Sequence, residues 1–131
     1  MKKLFSLVAL VAAFFAATMM PAAAAPGWTQ YSASSFAAAQ NAGKTIVVDV
    51  HADWCPTCRA QQPILNELRK DKRLANAVFI RVDFDKDKAF LRTHRIPRQS
   101  TILVFKGKTE TARSIAQTNR SALRKVVLGA I

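Results

Sequence analysis

The chain contains two cysteines, Cys55 and Cys58, which are separated by two residues. Closing so short a loop removes little conformational entropy from the unfolded chain, so a purely structural disulfide is a poor explanation of the pair. Two thiols at this spacing on the first turn of a helix come within bonding distance of each other. The pair therefore predicts either thiol–disulfide exchange or metal binding.

The helix expected after Cys55 supplies the conditions for exchange. Its first turn carries unpaired N–H groups and a positive partial charge, which favour a thiolate and lower the pKa of Cys55. Pro56 suits this turn because it lacks an N–H and presets φ. We expect Cys55, at the exposed end of the pair, to be the nucleophile and Cys58 to resolve the mixed disulfide that forms.

Metal binding is the alternative, and it is short of ligands. A zinc site usually has four, and only His51 and His94 could join the two thiols, because the chain has no second cysteine pair. An iron–sulfur or other metal module would need His51 or Ser100 and a second copy of the chain to complete the coordination. We expect no cofactor, and a colourless, metal-free protein would argue against this alternative.

The elements that must position the pair follow from the apolar pattern. A short strand or loop is expected over Pro26–Tyr31. Strands are predicted where β-branched or apolar residues run together, at Thr45–Val50, Val78–Phe84, Thr101–Phe105 and, after a Lys-Gly-Lys turn, Thr109–Ile115. Helices are predicted over Ser35–Asn41 after a Ser34 cap, Arg59–Lys70, Asp85–His94 and from a Ser121 cap through Leu128. This order predicts an α/β fold with a mixed central sheet and helices on both faces.

The N-terminus has the layout of a secretory signal peptide. Two lysines precede an apolar run that ends at Pro21, and a run of alanines follows. Because a proline directly after the cut is unfavourable and Pro26 would stand there after Ala25, we predict cleavage after Ala24. Residues 1–24 would then be the signal peptide and residues 25–131 the exported domain. A retained anchor is the alternative, although the run is at the short limit of a spanning helix.

Charge and length restrict the partners. Twenty Lys and Arg side chains against eight Asp and Glu side chains give a formal net charge of +12. A basic chain favours acidic partners, anionic lipid or nucleic acid, but export and the lack of a recognition motif argue against nucleic acid. The length predicts a single compact domain, which we expect to be a monomer.

The segment Val-Val-Asp-Val-His-Ala-Asp-Trp-Cys-Pro-Thr-Cys resembles the active-site strand and loop of the thioredoxin family. The likeness implies a thioredoxin-like fold over roughly Ser34 to Leu128, with Trp54, Pro56 and Thr57 shaping the site. The Cys-Pro-Thr-Cys sequence resembles periplasmic thioredoxins that serve cytochrome c maturation. Those proteins carry a long insertion between the second and third of the central strands predicted here, which this chain lacks, so the likeness supports the redox class and not that pathway.

Three further residues match positions of the thioredoxin family. Asp49 matches the family's buried acid, which is thought to move protons for the resolving thiol. Arg81 matches the lysine that faces this acid, and Pro63 matches the proline that kinks the following helix. Independently of the family, an aspartate inside an apolar strand is costly without a partner, and its pKa should rise. We therefore expect Asp49 and Arg81 to pair.

The sequence departs from the family just before the third predicted strand, where thioredoxins carry a cis-proline opposite the cysteines. An ungapped alignment places Ser100 there, followed by Thr101, and the alternative places Pro97 there with three extra residues after it. We prefer Ser100, because a register slip would exchange the faces of the next strand. A trans bond is then possible, since a non-proline cis bond costs about 3–4 kcal/mol. His51 stands where the family has a tryptophan, either as a polar group of the site or as a surface histidine.

These observations together predict an exported, periplasmic thiol–disulfide oxidoreductase. Cys55, Cys58 and Asp49 would carry the chemistry, and the partners would be protein disulfides or dithiols. A membrane or periplasmic redox partner would restore the active form. The direction of exchange is left open, because reduction, oxidation and isomerisation use the same thiols. A non-catalytic adaptor is a third interpretation, against which the intact cysteine pair argues.

Overall fold

The computed structural model describes residues 24–131, so the predicted signal peptide lies outside the described residues except for Ala24. The strands are β1 (Trp28–Gln30), β2 (Thr45–His51), β3 (Val78–Asp83), β4 (Thr101–Lys106) and β5 (Thr109–Ile115). The α-helices are α1 (Ala33–Asn41), α2 (Pro56–Arg69), α3 (Lys88–Thr93) and α4 (Arg120–Leu128), and a 3-10 turn covers Lys72–Leu74. Among residues 24–131 no helix combines the length and the apolar character needed to cross a bilayer.

The strands form one mixed sheet in the order β1-β3-β2-β4-β5. The β1, β2 and β3 strands run parallel, whereas β4 is antiparallel to β2 and pairs with β5 as a hairpin. This arrangement confirms the predicted fold class. The register places Asp49 of β2 directly beside Arg81 of β3, and Val50 beside Thr101 of β4. The end of β2 is therefore where side chains from three strands meet.

Each face of the sheet has its own hydrophobic core. Side chains alternate between faces along β2, so Val47 packs with Leu65 of α2 and Leu123 of α4. Val48 packs on the other face with Phe36 of α1 and Phe90 of α3. Because Asp49 and His51 follow Val47 at intervals of two, they lie on the face that α2 covers.

Several predicted helix starts are wrong. The N-cap of α1 is Ser32, whose Oγ accepts a hydrogen bond from the N–H of Ser35, and the predicted cap Ser34 lies inside the first turn. The N-cap of α4 is Asn119 and not Ser121. Each of these helices begins among several Ser and Asn residues that could cap equally well, so local sequence did not decide between them.

Two other predicted helices begin elsewhere for specific reasons. The α2 helix starts at Pro56, three residues before the predicted Arg59, because Cys55 itself is the N-cap. The α3 helix is shorter than predicted, since the Asp83 carboxylate accepts hydrogen bonds from the N–H groups of Asp85 and Lys86. These bonds hold the first predicted residues in a turn.

Candidate active site

Both cysteines lie at the start of α2. Cys55 is the N-cap, and its Sγ accepts a hydrogen bond from the backbone N–H of Cys58 at 3.1 Å. Pro56 occupies the first helical position, where its missing N–H costs no hydrogen bond. The helix thus directs an otherwise unpaired donor and its positive end at one sulfur, as the sequence predicted for Cys55.

The two thiols differ in pKa. Burial raises the pKa of Cys55, but hydrogen bonds from Cys58, Ser100 and the backbone outweigh this effect and leave the pKa below its ordinary value. Burial raises the pKa of Cys58, and the neighbouring Cys55 adds to the rise. In the reduced pair, Cys55 is therefore the thiol that loses its proton more readily, and Cys58 is the one that keeps it. Disulfide exchange requires this difference, because one thiol attacks the substrate first and the other resolves the mixed disulfide afterwards.

The expectation that Cys55 lies at an exposed end is wrong. Its side chain is 1% exposed and that of Cys58 is fully buried. Ala52 and Phe84 pack against the pair, while the indole of Trp54 lies outside and is 56% exposed. An incoming disulfide must therefore displace part of this cover before it reaches the Cys55 sulfur.

Ser100 completes a group that we call the sulfur pocket, made of Cys55, Cys58 and Ser100. The Ser100 Oγ lies 3.2 Å from the Cys55 Sγ and 3.1 Å from the Cys58 Sγ. No peptide bond within residues 24–131 is cis, and Ser100 adopts a left-handed backbone with φ of 67°. Pro97 is exposed, and it is Ser100 that contacts the sulfurs.

The neighbours of Ser100 fix its backbone. Its N–H donates to the carbonyl of Val50 at 2.8 Å, and its carbonyl accepts from the N–H of Ala116 at 3.0 Å. The side-chain amide of Gln61 also donates to this carbonyl, at 3.2 Å. Thr101 follows at the start of β4, where its hydroxyl donates to the carbonyl of Arg98. Thr101 thus holds the loop and does not contact the sulfurs through its hydroxyl.

A second polar group, the carboxyl cluster, consists of Asp49, Arg81, Gln62 and His51. The fully buried Asp49 Oδ2 accepts hydrogen bonds from Arg81 Nε at 3.3 Å and from Gln62 Nε2 at 3.1 Å. Arg81 also donates to the Gln62 side-chain oxygen. The expected pairing of Asp49 with Arg81 is therefore present. Burial raises the pKa of Asp49 more than Arg81, Gln62 and His51 lower it.

His51 belongs to the carboxyl cluster and is not a free surface residue. Its side chain is 13% exposed, with Nδ1 at 3.7 Å from the Asp49 Oδ2 and Nε2 at 3.2 Å from the exposed carboxylate of Asp53. Neither His51 Nδ1 nor Asp49 Oδ1 has a hydrogen-bond partner among the described residues. An open cavity of about 290 Å³ lies beside His51, lined also by Arg81 and Trp54.

Sequence reasoning missed three residues that build the site. Gln62 joins the two groups, because its amide contacts the Asp49 carboxylate and lies 3.4 Å from the carbonyl of Cys58. Gln61 is fully buried and holds Ser100. Asp85 accepts a hydrogen bond from the indole of Trp54 at 2.8 Å. The spacing of Gln62 four residues after Cys58, on one face of the helix, was a usable signal.

The metal-binding alternative is not favoured. Within residues 24–131 no group of three or more His, Cys, Asp or Glu side chains is placed to hold a metal ion. Both cysteines are free thiols. The donors that surround the Cys55 sulfur are a hydroxyl and N–H groups, which stabilise a thiolate.

Fold and site together define a thiol–disulfide oxidoreductase. The family model for thioredoxin matches residues 28–128, and the chain belongs to that family. It is 29% identical over 89 residues to thioredoxin H4 of Arabidopsis thaliana, which covers 68% of this chain and 74% of the relative. It is 28% identical to the H-type thioredoxin of Fagopyrum esculentum, in a match that covers 72% of this chain and 80% of that relative.

A solved structure agrees with this assignment. The crystal structure of Trxlp from Edwardsiella tarda is 36% identical and superposes with a TM-score of 0.74, covering 77% of this chain and 98% of that one. The chain is therefore similar to thioredoxins in sequence, in fold and in its cysteine pair.

Proposed function

We propose that the protein is an exported oxidoreductase that exchanges disulfides with protein substrates, using Cys55 for attack and Cys58 for release. The observation that carries this proposal is the different surroundings of two adjacent thiols: the Cys55 Sγ caps α2 and accepts the N–H of Cys58, and its pKa is lowered, whereas the pKa of the buried Cys58 is raised. In such a pair, Cys55 more readily forms the thiolate that attacks, and Cys58 remains a thiol until it resolves the mixed disulfide.

Each step of the exchange balances. The Cys55 thiolate attacks one sulfur of a substrate disulfide, forms a mixed disulfide and expels the other substrate sulfur as a thiolate. Cys58 then loses its proton and attacks the Cys55 sulfur, which closes the protein disulfide and releases the second substrate sulfur. Two electrons pass from the protein to the substrate. To act again as a reductant, the protein needs a two-electron donor, which we propose is a membrane or periplasmic dithiol protein.

Asp49 is the proposed acceptor of the Cys58 proton. Its raised pKa makes its carboxylate a better proton acceptor than an ordinary aspartate, and Gln62 links this carboxylate to the backbone of Cys58. Arg81 and Gln62 hold the carboxyl group in one orientation. His51 and Arg81 lie beside Asp49 and also line the open cavity, and we propose that the proton leaves to solvent past these two side chains.

Exposed apolar side chains near the sulfurs support a protein substrate. Trp54 is 56% exposed beside Cys55, and Ile115 is 48% exposed where it pairs with Thr101 at the start of β4. An extended substrate segment could bury both side chains while its disulfide meets Cys55. We propose that the enzyme works as a monomer, which sedimentation equilibrium tests.

The test of the exchange mechanism uses the reduction of insulin by dithiothreitol-recycled protein. We expect Cys55→Ser to reduce turnover to the uncatalysed rate. Cys58→Ser, reduced and then mixed with insulin in the absence of dithiothreitol, should instead accumulate a mixed disulfide at Cys55, visible as an added mass that dithiothreitol removes. Thr109→Ala, at an exposed position of β5, serves as the control. Full turnover by Cys55→Ser would refute the assignment.

The export proposal has a separate test. It rests on the charged, apolar and small-residue pattern of residues 1–24. The full chain with a C-terminal tag should fractionate outside the cytoplasm, and intact mass should place its first residue at Ala25. A full-length chain in the soluble cytoplasmic fraction would contradict export, and a full-length chain in the membrane fraction would favour the anchor.

A further inference from the structure

The backbone of Ser100 is held in a conformation that favours glycine, yet the residue carries a side chain between the two sulfurs. Its φ is 67°, and bonds to Val50, Ala116 and Gln61 fix its N–H and carbonyl groups. The residue is fully buried. Because a left-handed backbone disfavours residues with a Cβ, the hydroxyl is held in place at some cost in stability.

The Ser100 hydroxyl has one hydrogen and stands beside two sulfurs. With Cys55 ionised and Cys58 protonated, the hydroxyl donates to the Cys55 thiolate, and the Cys58 thiol can donate to the same oxygen. These are the only hydrogen bonds that the Ser100 Oγ makes within residues 24–131. Both of its partners are therefore groups that change when the pair is oxidised.

Oxidation weakens both contacts. A disulfide carries no negative charge and no S–H, so it is a weak acceptor and not a donor. Hydrogen bonds to charged groups are stronger than those to neutral groups, and burial separates the hydroxyl from the solvent that would otherwise replace its lost partners. The hydroxyl consequently stabilises the dithiol form more than the disulfide form.

We propose that the Ser100 hydroxyl sets the redox poise of the cysteine pair by holding it in the reduced state. The inference rests on the exchange reaction proposed above and concerns how readily the dithiol is oxidised. With the hydroxyl present, the protein gives up electrons less readily than the same fold would without it. In the defining equilibrium, the protein dithiol and glutathione disulfide yield the protein disulfide and two glutathione thiols. Two electrons and two protons pass to glutathione.

The test measures this equilibrium constant for the full-length purified protein in glutathione buffers, with the oxidised fraction read by thiol alkylation and mass. Ser100→Gly removes the hydroxyl and relieves the left-handed backbone, whereas Ser100→Ala removes the hydroxyl and keeps the strain. We expect the constant for oxidation to rise about tenfold in both variants, a potential lower by about 30 mV. The pKa of Cys55, followed by thiolate absorbance, should rise in both.

The two variants separate the hydroxyl from the backbone. A shift in Ser100→Gly alone would assign the effect to relief of the backbone strain and overturn the inference, as would no shift in either variant. Should Ser100→Gly fail to fold, Ser100→Ala, which changes only the hydroxyl, decides alone. Ser114→Ala, which removes another buried serine hydroxyl, should leave the constant unchanged. If the wild-type protein never forms its Cys55–Cys58 disulfide, the proposed function fails; if it does and Ser100→Ala matches it, only this inference fails.

Discussion

Cys55 in the sulfur pocket and Asp49 in the carboxyl cluster are both buried, yet the pKa of Cys55 is lowered and that of Asp49 is raised. In the sulfur pocket, a backbone N–H and a hydroxyl converge on the Cys55 sulfur, and its pKa falls despite burial. In the carboxyl cluster, all the hydrogen bonds to Asp49 reach Oδ2 while Oδ1 has no partner among the described residues, and burial raises the pKa. Burial alone therefore does not determine the direction of a pKa shift, which also depends on the hydrogen-bond donors directed at the ionisable atom.

The largest expected effect comes from Asp49→Asn, which removes the charge of the carboxyl cluster. A carboxyl whose pKa is raised by folding stabilises the protein fully below its ordinary pKa, and this contribution is lost as pH rises through the raised value. We expect the variant to be more stable than wild type at neutral pH, by about 1.4 kcal/mol for each unit by which folding raises the pKa of Asp49. Release of the mixed disulfide should slow by about 100-fold.

Urea unfolding at acidic and neutral pH and single-turnover release of a trapped substrate measure these two effects. The stability difference between variant and wild type should shrink towards pH 4. Asp53→Asn, whose side chain is fully exposed, is the matched control. A variant that is no more stable at neutral pH would mean that Asp49 ionises without cost, and that burial does not dominate its pKa.

Gln62→Leu tests the link between the two groups. The variant keeps much of the side-chain volume but removes the amide that donates to Asp49. We expect a loss of about 1.5–3 kcal/mol at a pH where Asp49 is charged and its hydrogen bonds are strongest, and a smaller loss at a pH where Asp49 is protonated. In the Asp49→Asn background the cost should fall, as a double-mutant cycle of unfolding free energies will show. An equal cost in both backgrounds would place the role of Gln62 in packing.

The smallest expected effect is that of His51→Phe. The charge of His51 lowers the pKa of Asp49. Replacing His51 should therefore raise this pKa, and the decline in stability should occur at a pH that is higher by less than about one unit. His94→Phe is the control, because His94 packs with Phe36, Phe90 and Phe105 on the opposite face of the sheet. A downward shift in His51→Phe, or an equal shift in both variants, would contradict the contact with Asp49.

The sequence was sufficient for the parts of the fold that depend on repeated patterns. The β-branched run from Thr45 predicted β2, and the neighbouring apolar runs gave the rest of the central sheet within one or two residues. Asp49 was recognisable because a carboxylate inside such a run needs a partner. Helix caps were harder to predict from the sequence, since Ser32 and Ser34 are chemically alike and only the path of the chain distinguishes them.

The parts of the site that the sequence did not predict depend on tertiary packing. Glutamine in a helix is most often exposed, so Gln61 and Gln62 gave no strong signal; their burial results from α2 lying over β2 and the loop before β4. The cover over Cys55 comes from Ala52 and Phe84, which are distant from each other in sequence. Side chains brought together by the fold could not be found by local spacing.

The position of Pro26 determines how the active face is presented. The guanidinium of Arg69, the last residue of α2, donates to the Pro26 carbonyl at 2.8 Å. A helix of 14 residues is about 21 Å long, so this hydrogen bond lies at the opposite end of α2 from Cys55. Ala24, Ala25 and Pro26 line one hollow with Arg69, so the first described residues lie far from the thiols and leave the surface around Cys55 open to a substrate.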